Sequence, residues 1–256
     1  MLLWTVSTLL VAVSGGGGVR ADGMDAWMQL HERTRLAFET ARPGSPAEGP
    51  AIVVGFTGGQ QKATSLSSGV VQVRKAVDER YADRPDLTTV TYNNREWRRA
   101  AETVLAHVRS TGAAPVIVVY GHSLGGGSVT KFARELERAG VDVTLAVYVD
   151  AVGIRNPRVP GNVRFAVNFY QRGGLLRGFP FRGKRVLVLE DASRTEILGN
   201  LHIKPVTPRS GWHWNLIQPL LYRQHHRIGH DVRLQNYIVD VLSISLLGEE
   251  GVYPIP

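Results

Sequence analysis

At 256 residues and 28.1 kDa the chain suffices for one domain with a sizeable core, and 43% hydrophobic against 20% charged residues is an ordinary globular balance. The complete absence of cysteine excludes disulfides, thiolate metal sites and cysteine nucleophiles, while leaving the compartment open. A formal net charge of +8 would suit nucleic acid, an acidic membrane surface or an anionic substrate, but no dense basic run is interleaved with aromatics and no zinc spacing occurs. That argues against nucleic acid and for a generally arginine-rich surface, with membrane-surface association as the alternative use of the charge.

The chain begins with an apolar run from Met1 to Val13, broken only by Thr5, Ser7 and Thr8 and followed by Ser14 and four glycines. It is too short for a membrane span and suits the apolar region of a secretory signal. Ala12-Val13-Ser14 and, less well, Val19-Arg20-Ala21 offer small residues for cleavage. No Lys or Arg precedes Arg20, so an uncleaved anchor or a true start at Met24 are alternatives. The expectation is an exported protein: residues 1–23 a signal peptide or anchor, residues 24–256 a single domain.

Asp22 to Ala41 reads as a helix with Trp27, Leu30, Ala37 and Phe38 on its apolar face. Residues 42–50, with three prolines and two glycines, form a linker. An alternation follows: strand Ala51–Phe56, helix Ser65–Tyr81, strand Leu87–Tyr92, helix Asn94–Ser110 capped by Asn93 or Asn94, strand Val116–Tyr120, then a helix striped by Leu124, Val129, Phe132, Ala133 and Leu136. Val143–Val149 and Val163–Tyr170 are further strands, Arg185–Glu190 reads as the last one, and Ile197–Val206 as a hairpin extension. Residues 211–228 show no clean periodicity, and Asp231–Leu246 is a final helix. Strands alternating with helices predict an α/β fold, a doubly wound, mostly parallel sheet covered on both faces.

The densest signal is Gly121-His122-Ser123-Leu124-Gly125-Gly126, where a β-branched run enters Gly-x-Ser-x-Gly and a helix leaves it. A strand turning sharply into a helix puts one serine at the apex, in a strained conformation that only small neighbours tolerate. The serine oxygen then projects beyond the carboxyl edge of the sheet, above a helix N-terminus suited to developing negative charge.

On these residues the chain resembles the α/β-hydrolase family, and within it the lipases and esterases, where Gly-His-Ser-Leu-Gly-Gly is a frequent form of the nucleophile elbow. The resemblance in element order runs from about Ala51 to the C-terminus; the sharply matching motifs are residues 121–126 and, less firmly, 55–59. It implies a serine hydrolase of carboxylic esters, with a small-molecule or lipid ester as substrate, a Ser-His-Asp triad, an acyl-enzyme intermediate, and neither metal nor organic cofactor. The same triad serves thioesterases and acyltransferases, and an inactive hydrolase fold acting as an exported binding protein is the reading from another class.

Ser123 is the expected nucleophile. The N–H of Leu124, immediately after it, is one expected oxyanion donor. By the resemblance, Thr57 in the glycine-rich stretch Gly55-Phe56-Thr57-Gly58-Gly59 is the other, with Phe56 and Gly58 close behind. Asp150 ends the strand after the elbow, on the same rim as Ser123, and is the expected acid, with Asp191 as the fallback. At the commoner acid position, after Val163–Tyr170, the chain offers Asn168 and Gln171 but no carboxylate. The base should lie between the last strand and the final helix. His230, just before Asp231 as the N-cap, is best placed, with His213, His225, His226 and His202 as alternatives. No long lid fits between Asp150 and Val163; Leu175, Leu176, Phe179, Trp212 and Trp214 are candidates to wall an acyl pocket.

Overall fold

The computed structural model describes residues 19–20, 24–41, 50–59, 61–112, 114–152, 158–172, 183–204 and 223–247. Seven strands form one sheet: β1 (Val19–Arg20), β2 (Ala51–Thr57), β3 (Leu87–Asn93), β4 (Val116–His122), β5 (Val143–Val149), β6 (Val163–Tyr170) and β7 (Glu196–His202). Their order is β1-β7-β6-β5-β4-β2-β3, and every pairing is parallel.

Parallel strands need crossovers, and the crossover helices cover both faces, so the central strands are apolar at nearly every position. In β2 and β4 all seven residues are buried. Alternate residues serve opposite faces. Val53, Val118 and Val147 pack with Trp27, Val73 and Tyr237 from α1 (Met24–Ala41), α2 (Gly69–Arg80) and α6 (Val232–Leu247). Ile52, Ile117 and Ala146 pack with Ala100, Val104, Phe132 and Leu136 from α3 (Trp97–Thr111) and α4 (Leu124–Arg138). Fully burying a side chain such as Phe132 contributes about 1.5–3 kcal/mol.

The order places the site. From β2 the chain steps outward to β3, then returns to β4 on the other side of β2 and proceeds to β5. Loops leaving β2 and β4 therefore diverge, opening a crevice at the carboxyl ends of these two strands. Ser123 follows β4, and the glycine-rich stretch follows β2.

Several predicted elements differ in the structure. Arg185–Glu190 is no strand: only Leu189 makes a bridge, to Val159, and the last strand is Glu196–His202, where the sequence predicts a hairpin extension. Its burial is broken, and among the described residues only the two of β1 pair outside it. Helix α3 starts at Trp97 rather than Asn94, since Asn93 folds the chain into a turn whose carbonyl accepts from Glu96 N–H at 2.9 Å and whose side chain accepts from Arg95 N–H at 3.1 Å. A short helix α5 (Arg223–Ile228) precedes the turn into α6. Val19 and Arg20 pair with Leu201 and His202.

Candidate active site

Ser123 stands between β4 and α4 with φ 59° and ψ −123°, and the other non-glycine residue of positive φ among those described is Asp150, at 43°. Such backbone costs on the order of 1–3 kcal/mol and persists only where the surroundings impose it. Here they do: Ser123 N–H donates to Val149 O at 3.0 Å, and its carbonyl accepts from Gly126 and Val152 N–H at 3.0 and 3.2 Å. The flanking glycines are needed for space. A Cβ on Gly121 would lie 2.4 Å from Gly125 O, and one on Gly125 only 2.1 Å from Phe56 O.

The serine hydroxyl lies 2.7 Å from His225 Nε2, and His225 Nδ1 lies 2.7 Å from Asp150 Oδ2. A carboxylate only accepts, so Nδ1 carries the proton and Nε2 accepts from the Ser123 hydroxyl. All three residues are buried, Asp150 completely. A buried carboxylate must be richly hydrogen-bonded, and this one is. Gly183 N–H donates to Oδ1 at 2.6 Å, Gln171 Nε2 donates to Oδ2 at 2.9 Å, and Gln171 N–H approaches Oδ1 at 3.4 Å.

The structure thus brings Ser123 and Asp150 together as expected, but with His225 in place of His230. His230 turns to the α2 side: its Nδ1 lies 3.0 Å from Gln72 Oε1, which also accepts from Gln235 Nε2 at 3.1 Å. The reason is local. His230 N–H closes a turn onto Arg227 O at 3.0 Å, and Asp231 caps α6 through its Oδ1 and Arg233 N–H at 3.1 Å, so the residue before the cap follows α6 to α2. His225, earlier in the chain on α5, faces the strand ends. His226 is half-buried, its ring 6.1 Å from that of His225. His202 ends β7 with its ring 5.4 Å from Tyr170. The fallback acid Asp191 lies in a turn away from the relay, accepting from Ser193 N–H and Oγ. His213 and the five acyl-pocket candidates lie outside the described residues.

Around the serine oxygen, Leu124 and Gly125 open α4, and their N–H groups have no acceptor four residues back within the helix. The loop after β2 passes directly over the apex, since a Cβ on Gly58 would lie 2.8 Å from Ser123 Cβ. Thr57 is therefore beside the site, but its hydroxyl donates to Gln61 O at 3.0 Å. With that hydroxyl engaged, the main-chain N–H groups of this loop are the candidate oxyanion donors. Gln61 fastens the loop: its carbonyl also accepts from Asn93 Nδ2 at 2.8 Å, its N–H donates to Gly58 O at 3.0 Å, and its Oε1 accepts from Ser68 Oγ at 3.2 Å.

Three further histidines crowd the site, each held toward its neutral form. Burial holds His122 well below the usual imidazole range, with the nearby His225, His226 and His230 adding to the effect. Burial first and His225 second lower His226, and burial first and His226 second lower His230 to about 4. No group of three or more His, Asp or Glu among the described residues is arranged to hold a metal ion, and no described helix is long and apolar enough to cross a membrane.

No protein-family profile and no curated protein matches the chain. Among solved structures, it is similar to a thioesterase of the prodiginine biosynthetic pathway in Streptomyces coelicolor (17% identity, 44% of this chain and 46% of that one, TM-score 0.28). It is similar also to a type II thioesterase from the borrelidin biosynthetic cluster (20%, 43% and 44%, TM-score 0.27) and to an α/β serine hydrolase without lid from Xanthomonas campestris (12%, 80% and 88%, TM-score 0.40). The matched part spans under half the length of either thioesterase. The parallel sheet, its strand order and its covering helices are those of an α/β-hydrolase-type fold.

Proposed function

We propose that this chain is a serine hydrolase that cleaves carboxylic esters through an acyl-enzyme, with Ser123 as nucleophile, His225 as general base and acid, and Asp150 as the group that orients it. One observation carries the reading: an unbroken hydrogen-bond run from Ser123 Oγ through His225 to Asp150, at 2.7 Å in both links. Chemistry follows from the proton positions. His225 Nε2 takes the hydroxyl proton as Ser123 Oγ attacks the acyl carbon. The imidazolium so formed is steadied by Asp150, and the oxyanion collects on the N–H of Leu124 and of the loop at 57–58. Nε2 then returns the proton to the departing alcohol, and a water, deprotonated by the same nitrogen, releases the acid. The hydrogen-bond run favours this reading over an inactive binding protein, which has no use for a serine, an imidazole and a carboxylate in that sequence.

The test is turnover of p-nitrophenyl esters of short to medium acyl chains beside the matching thioesters, in wild-type protein and Ser123→Ala. Ester turnover lost in Ser123→Ala with the thermal melt retained supports the reading. Equal turnover by both proteins ends it. Export through residues 1–23 belongs to the same proposal, supported by the apolar N-terminus. Cleavage after Ser14 would keep the β1 pairing and cleavage after Ala21 would remove it, so mass spectrometry of the mature N-terminus distinguishes the two.

A further inference from the structure

Inside the elbow, His122 is a buried imidazole that takes no part in the relay. Its Nε2 lies 2.8 Å from the backbone carbonyl of His225, and its ring lies 4.8 Å from the His225 ring at an interplanar angle of 31°. A carbonyl only accepts, so Nε2–H donates, and this contact ties the last residue of β4 to α5 across 103 residues. Two glycines close on the rest of the ring. A Cβ on Gly229 would lie 3.4 Å from His122 Cγ, and one on Gly58 would lie 3.4 Å from its Nδ1.

From this geometry we infer that His122 is a positioning residue for the base: its Nε2–H holds the main chain of His225 so that the imidazole meets both Ser123 and Asp150. The inference rests on the proposed hydrolase reading. Helix α5 has only six residues, too short to be stable alone, so the place of His225 depends on tertiary contacts of this kind. Burial also keeps the ring neutral. The ionisable groups facing His122 are His225, His226 and His230, and when His225 becomes an imidazolium a second cation 4.8 Å away would oppose it. The buried neutral ring instead lies against the charged one without adding charge. A residue of equal size but without the donor would fill the space and lose the bond to His225 O.

Two variants separate donor from filler. His122→Gln places an amide N–H near the position of Nε2, whereas His122→Met fills a similar volume without a donor. Fluorophosphonate labelling of Ser123, ester kcat and KM, and the low-field proton resonance of the His225–Asp150 hydrogen bond are measured on each. The expected result is labelling and kcat within about fivefold of wild type for Gln. For Met, both fall by about 100-fold at unchanged KM, the loss typical of a reacting group displaced by about 1 Å, and the low-field resonance broadens or disappears. Wild-type labelling, kcat and resonance in His122→Met would overturn the inference. So would equal losses in both variants, since the donor would then not matter. If wild-type protein itself takes no label, the hydrolase reading fails, which is a separate outcome. The resonance needs no substrate and still reports the placement of His225 in that case.

Discussion

Gln171 stands where no carboxylate is available, directly after β6, and its side chain turns back to the carboxylate that the chain does have. Replacing it by leucine removes the 2.9 Å bond from Nε2 to Asp150 Oδ2 and keeps the main-chain N–H and the volume. Asp150 would retain Gly183 N–H at 2.6 Å, Gln171 N–H at 3.4 Å and His225 Nδ1–H at 2.7 Å. A hydrogen bond to a charged, buried group is worth about 1.5–3 kcal/mol. For a chain of this size each kcal/mol moves the melting temperature by about 2–4 °C, so Gln171→Leu should melt roughly 3–12 °C lower. Catalysis should suffer as well. Were the whole bond realised in the transition state, kcat/KM would fall about 10- to 100-fold, at about 1.4 kcal/mol per decade. Three remaining donors absorb part of this, so about tenfold is expected, carried by kcat. Differential scanning calorimetry and ester kinetics read the two effects on one preparation. An unchanged melt together with unchanged kcat would refute the claim that Gln171 holds the acid in place.

Exchanging the two candidate histidines gives a sharper contrast: His225→Ala should lose at least three orders of magnitude in kcat, as expected when a triad loses its base, while His230→Ala should keep turnover within about tenfold and lower the melt by removing a partner of Gln72. The reverse pattern would restore His230 as the base. Stability should also depend on pH. His31 and His230 are held by burial at about 4 in the folded chain against 6.5 unfolded. The unfolded state thus binds more protons below pH 6.5, so their contribution is fully present above that value. It is lost as pH falls toward 4, at up to about 1.4 kcal/mol per pH unit for each. Urea unfolding at pH 7, 6, 5 and 4 should give falling midpoints, and removal of the His230 share in His230→Gln should flatten the slope; a flat wild-type profile would contradict the buried neutral assignment.

Much of this site is legible in the sequence because its signals are local. A β-branched run, a glycine-flanked serine and a striped helix specify the elbow within a dozen residues, and Asp150 follows from ending the next apolar strand. Which histidine bridges Ser123 and Asp150 is not legible, for a physical reason. His225, His226 and His230 lie within six positions, and which of them faces the strand ends depends on the phase of a one-and-a-half-turn helix emerging from a segment without periodicity. Asp231 does cap α6, yet it misleads about which histidine meets Ser123, because a cap fixes where the helix starts and not where the preceding residue points. The last strand differs for another reason. Val186-Leu187-Val188-Leu189 carries the stronger β pattern, yet it makes a single bridge to Val159, while the weaker Glu196–His202 pairs along β6 with one irregularity between Ala166 and Val167. Tertiary pairing outweighs intrinsic propensity there. Gln171 is visible as a missing carboxylate, but that its amide serves the carboxylate of the neighbouring strand follows only from the sheet register.

The account stands on Ser123 being an activated nucleophile, and covalent labelling measures that most directly. Wild-type protein treated with a fluorophosphonate and digested should carry one adduct, on the peptide containing Ser123. Labelling should fall at least about 1,000-fold in rate in His225→Ala or Asp150→Ala, in the manner of a relay acting as a unit. Stoichiometric labelling of another residue, or of Ser123 at the same rate in His225→Ala, would contradict it.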